Sequence, residues 1–412
     1  MVAMLIAILV VVVPFLIYYV VEAKKNHPKG LISAALSNMG ERFGYYIMNA
    51  VLLLFLCSKF GISDDLAGWI YAVFYFLIYV LSLPGGMVAD RLGNFKGTII
   101  TGLVVMASGY AIISIPVFGG NPGAVPTRVL VLTCFALLLI ATGNGLFKGN
   151  LQAIVGQMYD NFEAEEAKKG PEALAVAKSR RDSGFQIFYV FINIGGVIAP
   201  FVAPLLRSAL LKMEGFIYNA DLPRLCHSFL EGTLQGEGMN NLQELAQKSV
   251  VDGNVGDLAV FCTNYLESFN TGVHYSFVAS ALAMVASLLI FLVTKKVLPN
   301  PVKKEKAAQV SSEQVATDAK EIKQRMFALF AVLGVAVFFW FSFHQNGQSL
   351  SVFARDFCDT EAIAPEIWQC INPFFVIVLT PIIMIVFGAL AKRGKEISTP
   401  KKIAFGMFIT AC

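Results

Sequence analysis

The chain has 412 residues, 56% of them hydrophobic and 15% charged, with 32 basic against 28 acidic side chains for a net charge of +4. A soluble domain carries about 25% charged residues, which excludes an ordinary soluble enzyme and a disordered chain, and so small a net charge argues against a nucleic-acid surface. Seven Cys in this length are not a disulfide scaffold.

A helix that crosses a bilayer needs about 20 mostly apolar residues. Such runs fall near 2–21, 31–57, 66–84, 97–117, 129–147, 184–205, 273–294, 326–345 and 367–390. The expected fold class is an all-α polytopic membrane protein. The 2–21 run has no basic start and no small-x-small cleavage site, and its positive flank follows it. It reads as a retained anchor with the N-terminus outside, not as a signal peptide. A further apolar run opens at Ile403 and reaches only Cys412. That is too short to cross about 30 Å of hydrocarbon, so the chain reads as a fragment.

Lysine and arginine set the sidedness. With 22–30 inside and strict alternation after it, 23 basic residues fall on inner segments and 7 on outer ones. The two others, Arg42 and Lys148, lie inside spans. The resulting plan is an extra helix at 1–21 and a six-helix bundle at 22–294 with an outer insertion at 206–272. A solvated inner linker with a late helix follows at 295–325, then a partial second bundle at 326–412. The insertion holds Cys226 and Cys262, and Cys358 in the outer 346–366 loop is followed by Cys370. On an oxidising face these can form two disulfides; free thiols are the alternative. A weak repeat links two inner loops: Asp90 and Arg91 follow Gly86 as Lys392 and Arg393 follow Gly388. Two parallel six-helix halves would produce that relation.

Charges within the spans carry the functional signal. Asn38, Glu41, Arg42, Tyr45 and Asn49 are spaced i, i+3, i+4, i+7, i+11, one stripe of a helix with about 3.6 residues per turn. Each charge at bilayer depth costs about 2.5–3.5 kcal/mol on insertion scales. Glu41 and Arg42 therefore form either a structural ion pair or a substrate or proton site. Intramembrane ionisable residues usually line pathways, which favours the second reading. Lys148, in Gly143-Asn-Gly-Leu-Phe-Lys148-Gly-Asn150, either snorkels to the inner edge or reaches the cavity toward Glu41. Asn193 needs a partner, a neighbouring helix or a ligand. His344 lies inside the predicted 326–345 span, and it either titrates near neutral pH or is a hydrogen-bonded structural residue. Asn372-Pro373 marks a broken helix start. No metal-ligand cluster, nucleotide loop or nucleophile triad is visible, so an enzyme, a cofactor and a metal site are not expected.

Four segments together resemble the proton-dependent oligopeptide transporter family of the major facilitator superfamily. Glu41-Arg42-Phe43-Gly44-Tyr45-Tyr46 is similar to the second half of the family's ExxERF-x-YY motif. Gly85 to Arg91 is similar to the superfamily's loop 2–3 motif. Gly143 to Asn150 resembles the GxGLxKPN segment, and Phe188 to Gly195 resembles FYxxINxG. The resemblance covers about 28–205 and 326–412 and leaves out the first helix and the 206–272 insertion.

The resemblance implies two helical bundles around a central cavity, twelve helices in all, with this chain stopping early in the ninth. It implies alternating access and symport of di- or tripeptides, or related small solutes, with protons in a plasma (inner) membrane. Glu41 would couple the proton, paired with Arg42 or Lys148. Arg42 and Lys148 would bind a substrate carboxylate. Tyr45, Tyr46 and Tyr79 would line the pocket, Asn193 and Asn372 would bond the peptide backbone, and Asp90 and Arg91 would belong to an inner gate. Three positions depart from the family pattern. Asn38 stands for a motif Glu, His344 for a Glu of the seventh helix that meets the peptide amine or a proton, and Gly149 for a Pro. The pocket then sets Arg42 and Lys148 against Glu41 alone. A carrier of nitrate or another small anion, using Arg42, Lys148 and His344, is the alternative, since some plant members that carry nitrate have a His there. An alternative of another class is a membrane receptor or scaffold that does not transport and binds a partner through 206–272.

Overall fold

The computed structural model describes residues 2–117, 126–251, 253–300, 312–360, 363–392, 397 and 399–411. Its helices are α1 Val2–Asn26, α2 Leu31–Phe60, α3 Asp64–Val80, α4 Ser82–Leu92, α5 Phe95–Ser114, α6 Thr127–Ala167 and α7 Pro171–Met213. After these come α8 Leu222–Leu230, α9 Glu237–Lys248, α10 Leu258–Thr294, α11 Ser312–His344, α12 Ser349–Phe357, α13 Ile371–Lys392 and α14 Thr399–Ala411. Short 3₁₀ segments lie at Gln345–Gly347 and Pro365–Cys370. Among the described residues, nine stretches are long and apolar enough to cross a membrane. Helices suit that solvent because each satisfies its own backbone polar groups.

Several predicted spans change length. The 66–84 run breaks at Leu81 into α3 and α4. Pro84, in the first turn of α4, has no N–H to give the carbonyl of Val80. The 129–147 run becomes α6, 41 residues, and 184–205 becomes α7, 43 residues. At about 1.5 Å per residue each is about 60 Å long, twice the hydrocarbon thickness. The apolar run marks only the part suited to lipid; both helices continue through charged sequence. There Arg181 donates to Asp160 at 2.7 Å and to Glu163 at 3.2 Å. At the other end α7 and α10 run into the predicted 206–272 insertion. The part outside them is 214–257, which holds α8, α9 and an antiparallel bridge between Phe216 and Val250.

The chain divides into two compact units, Met1–Pro301 with Ser351–Val378, and Val302–Leu350 with Leu379–Cys412. The second takes in α11, the Gln345–Gly347 turn, the later part of α13 and α14. Of its share of the sequence repeat, Arg393, Gly394 and Lys395 lie outside the described residues.

In the first unit α2 is the central helix. Ser37 and Ser287 bind it to α10, with the Ser287 hydroxyl 2.6 Å from the Ser37 carbonyl. Gly195 lets α7 approach its backbone: a Cβ there would lie 3.0 Å from the Met39 carbonyl and 3.2 Å from the Phe43 nitrogen. Helix α1 packs on α7 and α2 through buried Val12, Tyr19 and Ala23, and many of its other side chains are exposed.

Segments predicted to share a side of the membrane share an end of this unit. At one end His227 Nε2 lies 2.8 Å from the Ser58 carbonyl, Asn270 donates to the same carbonyl at 3.0 Å, and Lys59 donates to the Val117 carbonyl at 2.8 Å. Arg355 and Asp64 pair there at 2.7 Å. At the other end His27 bonds the Tyr159 hydroxyl at 2.7 Å and Lys96 donates to the Lys295 carbonyl at 2.8 Å. Burial holds His227 below the usual histidine pKa, so it is neutral at pH 7. Cys226, Cys262, Cys358 and Cys370 are thiols; Cys226 and Cys262 are buried with their side chains in contact.

Replacing Gly195 with Leu should wedge α7 from α2 and cost about 1–3 kcal/mol. A lowered thermal unfolding midpoint in detergent is the expected result, and an unchanged midpoint would show that the close approach is not needed.

Candidate functional site

The polar stripe read from the sequence lies along the middle of α2. Glu41 is 1% exposed and Arg42 5% exposed. Their ion pair, Nε to Oε2, is 2.7 Å. Consecutive helix residues do not face each other, and the Glu41 Oε2 atom makes no hydrogen bond in this geometry. Helix α6 supplies what α2 lacks. Asn144 donates to Glu41 Oε1 at 2.5 Å. Lys148, one helical turn on, is within Coulombic reach of both Glu41 and Arg42.

Glycines bring α6 close enough for this. Gly145 lies against the backbone of Leu81, where a Cβ would be 2.5 Å from the carbonyl oxygen, and Gly85 packs onto the backbone of Gly145. The break between α3 and α4 thus seats against the glycine segment of α6.

Aromatic rings close the cluster. The Arg42 guanidinium lies 4.7 Å from the Tyr45 ring centre, and the Lys148 ammonium lies 4.6 Å from that of Tyr79. Tyr45 makes edge contacts with Tyr46 and Tyr75. Within the protein, Arg42 Nη2 and Asn144 Oδ1 are buried and make no hydrogen bond. The arrangement offers a guanidinium donor, a lysine and a carboxylate in one low-dielectric place, where each interaction is stronger than in water.

Two turns along the stripe is a second network. Tyr71 and Tyr75 both donate to Asn49 Oδ1, at 3.0 and 2.7 Å, and the Asn49 amide donates to Gln369 Oε1. Gln369 in turn donates to the Ser351 hydroxyl at 3.0 Å. The sequence reading missed Gln369 and gave Asn144 no role. Asn144 could have been found, because it sits on the glycine segment one turn before Lys148.

Glu41, Arg42, Tyr45, Tyr46, Tyr79 and Lys148 come together as expected. Asn38 is buried one turn before them on α2. The Asn193 amide donates to the Tyr189 carbonyl of its own helix at 3.0 Å. Asn372 is exposed at the start of α13, and Asp90 and Arg91 are exposed at the end of α4. His344 belongs to the second unit, where it ends α11 against the rings of Trp340 and Phe343.

The POT family model matches residues 96–220 and 301–412, more than half of the chain. The peptide transporter YePEPT of Yersinia enterocolitica is 28% identical over 94% of this chain and 72% of its own length. Dipeptide and tripeptide permease B of Salmonella typhimurium is 26% identical over 94% of this chain and 71% of its own. Among solved structures, a POT family transporter in complex with 5-aminolevulinic acid matches with a TM-score of 0.53 at 20% identity, covering 91% of this chain and 72% of that one. The peptide transporter POT in complex with sulfate gives 0.52 at 20% identity, covering 92% and 72%. The shared fold is that of these transporters.

Substituting Leu for Asn49 should remove the acceptor of two buried tyrosine hydroxyls and the donor to Gln369 Oε1, at about 1–3 kcal/mol each at most. The measurement is the unfolding midpoint of the purified protein. A value within error of the unsubstituted protein would mean that the network is not holding these segments.

Proposed function

The chain belongs to the POT family, and from that membership we propose that it is a secondary active transporter that carries di- or tripeptides into the cell with protons, by alternating access. The observation that carries this reading is the buried Arg42 guanidinium. It is held by Glu41, backed by Lys148 and Tyr45, and has one donor nitrogen without a protein partner. A peptide's terminal carboxylate is the anion whose two oxygens suit a guanidinium fork. The relatives named as peptide transporters and as dipeptide and tripeptide permeases support the substrate class.

The cycle follows from the charges. With Glu41 ionised, Arg42 is neutralised in place and Lys148 is left as the net charge. A proton on Glu41 removes its hold on Arg42 and frees the guanidinium for a substrate carboxylate. The substrate carboxylate then takes the place of the Glu41 charge beside Arg42, and peptide and proton together carry one positive charge across. Asn38, Tyr46, Tyr79, Asn193 and Asn372 remain candidates for contacts along the peptide, His344 for a second proton site, and Asp90 and Arg91 for an inner gate. The basic-residue bias supports an orientation with the N-terminus outside, and the family membership supports a plasma (inner) membrane location. On that outer, oxidising side Cys226 and Cys262 can be joined as a disulfide.

Glu41→Gln should abolish accumulation driven by a proton gradient in proteoliposomes while sparing peptide exchange. Persisting accumulation would remove Glu41 from the coupling role. In the same vesicles, unlabelled dipeptide should displace labelled dipeptide and nitrate should not. The reverse order would make this a small-anion carrier.

A further inference from the structure

At the insertion's end of the first unit lies a cavity of about 310 Å³, within the size range of small-molecule sites, about 300–1,000 Å³. One wall is apolar and is formed by Tyr218, Pro223, Phe269 and Pro365. The Tyr218 and Phe269 rings also cover a second buried ion pair. Their centres stand 4.3 and 4.8 Å from the Arg207 guanidinium, which binds Glu366, Nη1 to Oε1, at 2.6 Å. That pair is only 2% and 1% exposed, and it does not line the cavity.

Charges of both signs line the rest, Asp64, Asp221 and Glu231 against Arg224 and Arg355. Two of them are committed to each other. Arg355 donates to both Asp64 oxygens, at 3.0 and 2.7 Å, and the Cys57 thiol donates to Asp64 at 3.3 Å. Among the described residues, the side chains of Asp221, Arg224 and Glu231 make no hydrogen bond and no ion pair. His227 is neutral, with Nε2 on the Ser58 carbonyl, and adds no charge.

The backbone fixes where these groups stand. Arg224 lies in the first turn of α8, and Glu231 follows its last residue. They are two helical turns apart, which puts them on one face with about 10.5 Å between them along the axis. Gly61, left-handed at the end of α2, lets α8 come close: a Cβ there would lie 2.8 Å from His227 Nδ1 and 3.3 Å from Glu231 Oε1. A linear zwitterion answers this pattern. Its carboxylate suits the Arg224 fork, and its ammonium suits Glu231. Asp221 leaves the cavity one negative charge in excess, which favours a ligand that brings an ammonium. At about 3.3–3.6 Å per residue, an extended tripeptide spans about 10–11 Å. Asp221, Arg224 and Glu231 all fall in 221–300, which the family model does not match.

We propose that this cavity is a second peptide site, in which a tripeptide lies along α8 with its carboxylate on Arg224 and its ammonium on Glu231. It is separate from the Glu41 and Arg42 cluster and does not depend on the transport reading.

The test uses the purified full chain with a thiol reporter, Ser228→Cys, on the cavity wall, in a background of Cys57→Ser, Cys134→Ser, Cys358→Ser and Cys412→Ser. Trialanine near saturation should slow the reaction of a maleimide with this thiol by about tenfold or more. N-acetyltrialanine amide, which lacks both end charges, should not slow it. Adding Arg224→Gln or Glu231→Gln, both at exposed positions, should raise the trialanine concentration for half protection about tenfold or more, as expected for losing one charge-assisted bond. A thiol that trialanine does not protect would overturn the site. Protection that the blocked peptide matches, or that both charge variants leave unchanged, would overturn it too; the last is the result of peptide acting only from the Glu41 and Arg42 cluster. Ala220→Cys, also on the cavity wall, carries the test where Ser228→Cys does not fold. Uptake is not measured, so the site can fail while the transport reading stands, and the reverse.

Discussion

Taking a carboxylate and a guanidinium out of water costs several kcal/mol per ion unless their remaining polar atoms find partners. Helix α2 does this with sequence neighbours, Glu41 and Arg42, which cannot face each other squarely on a helix. The pair needs help from outside α2, and α6 provides it through Asn144 and Lys148. To reach, α6 must lie close to the segment where α3 gives way to α4. That closeness explains the glycines at 85 and 145, which pack backbone to backbone. The tyrosines complete the arrangement by placing ring faces against the two cations. Charges on one helix thus dictate small residues on others.

Much of this was legible in the sequence, because it is written in local spacing. The stripe on α2 follows from the helical period. The closeness of α6 follows from Gly143 and Gly145, and sidedness follows from the Lys and Arg bias. The clustering of predicted same-side segments at each end of the first unit agrees with that bias. Pro84 lies just past the break between α3 and α4, but the sequence reading followed hydropathy and ran through it as one span. Hydropathy failed at helix ends for a physical reason: it reports where lipid is tolerated, while the backbone keeps its helix into water as long as neighbours pack on it. Helices α6, α7 and α10 all outran their apolar cores in this way.

Contacts distant in sequence were not legible. Arg207 looked like one more basic residue of an outer loop, and nothing near it announced Glu366, 159 positions later. Gln369 sits in an unremarked stretch and gains its meaning only from Asn49, on another helix. Asn193 takes a local option: its amide donates to the Tyr189 carbonyl of its own helix. Serine, threonine and asparagine in membrane helices have that local option, and sequence cannot tell which option is taken.

The two buried ion pairs solve the same desolvation problem with opposite mechanical properties. Glu41 and Arg42 share one helix turn, so no motion of helices can part them; only a change of charge, from a proton or a bound anion, can alter their balance. Arg207 and Glu366 are joined through no local backbone, so movement can separate them, and their charges need not change. The 3₁₀ segment links them, since Glu366 lies at the separable pair and Gln369 at the helix that carries the inseparable one. Four consecutive residues of that segment thus touch both pairs, alongside the direct packing of α7 on α2 at Gly195.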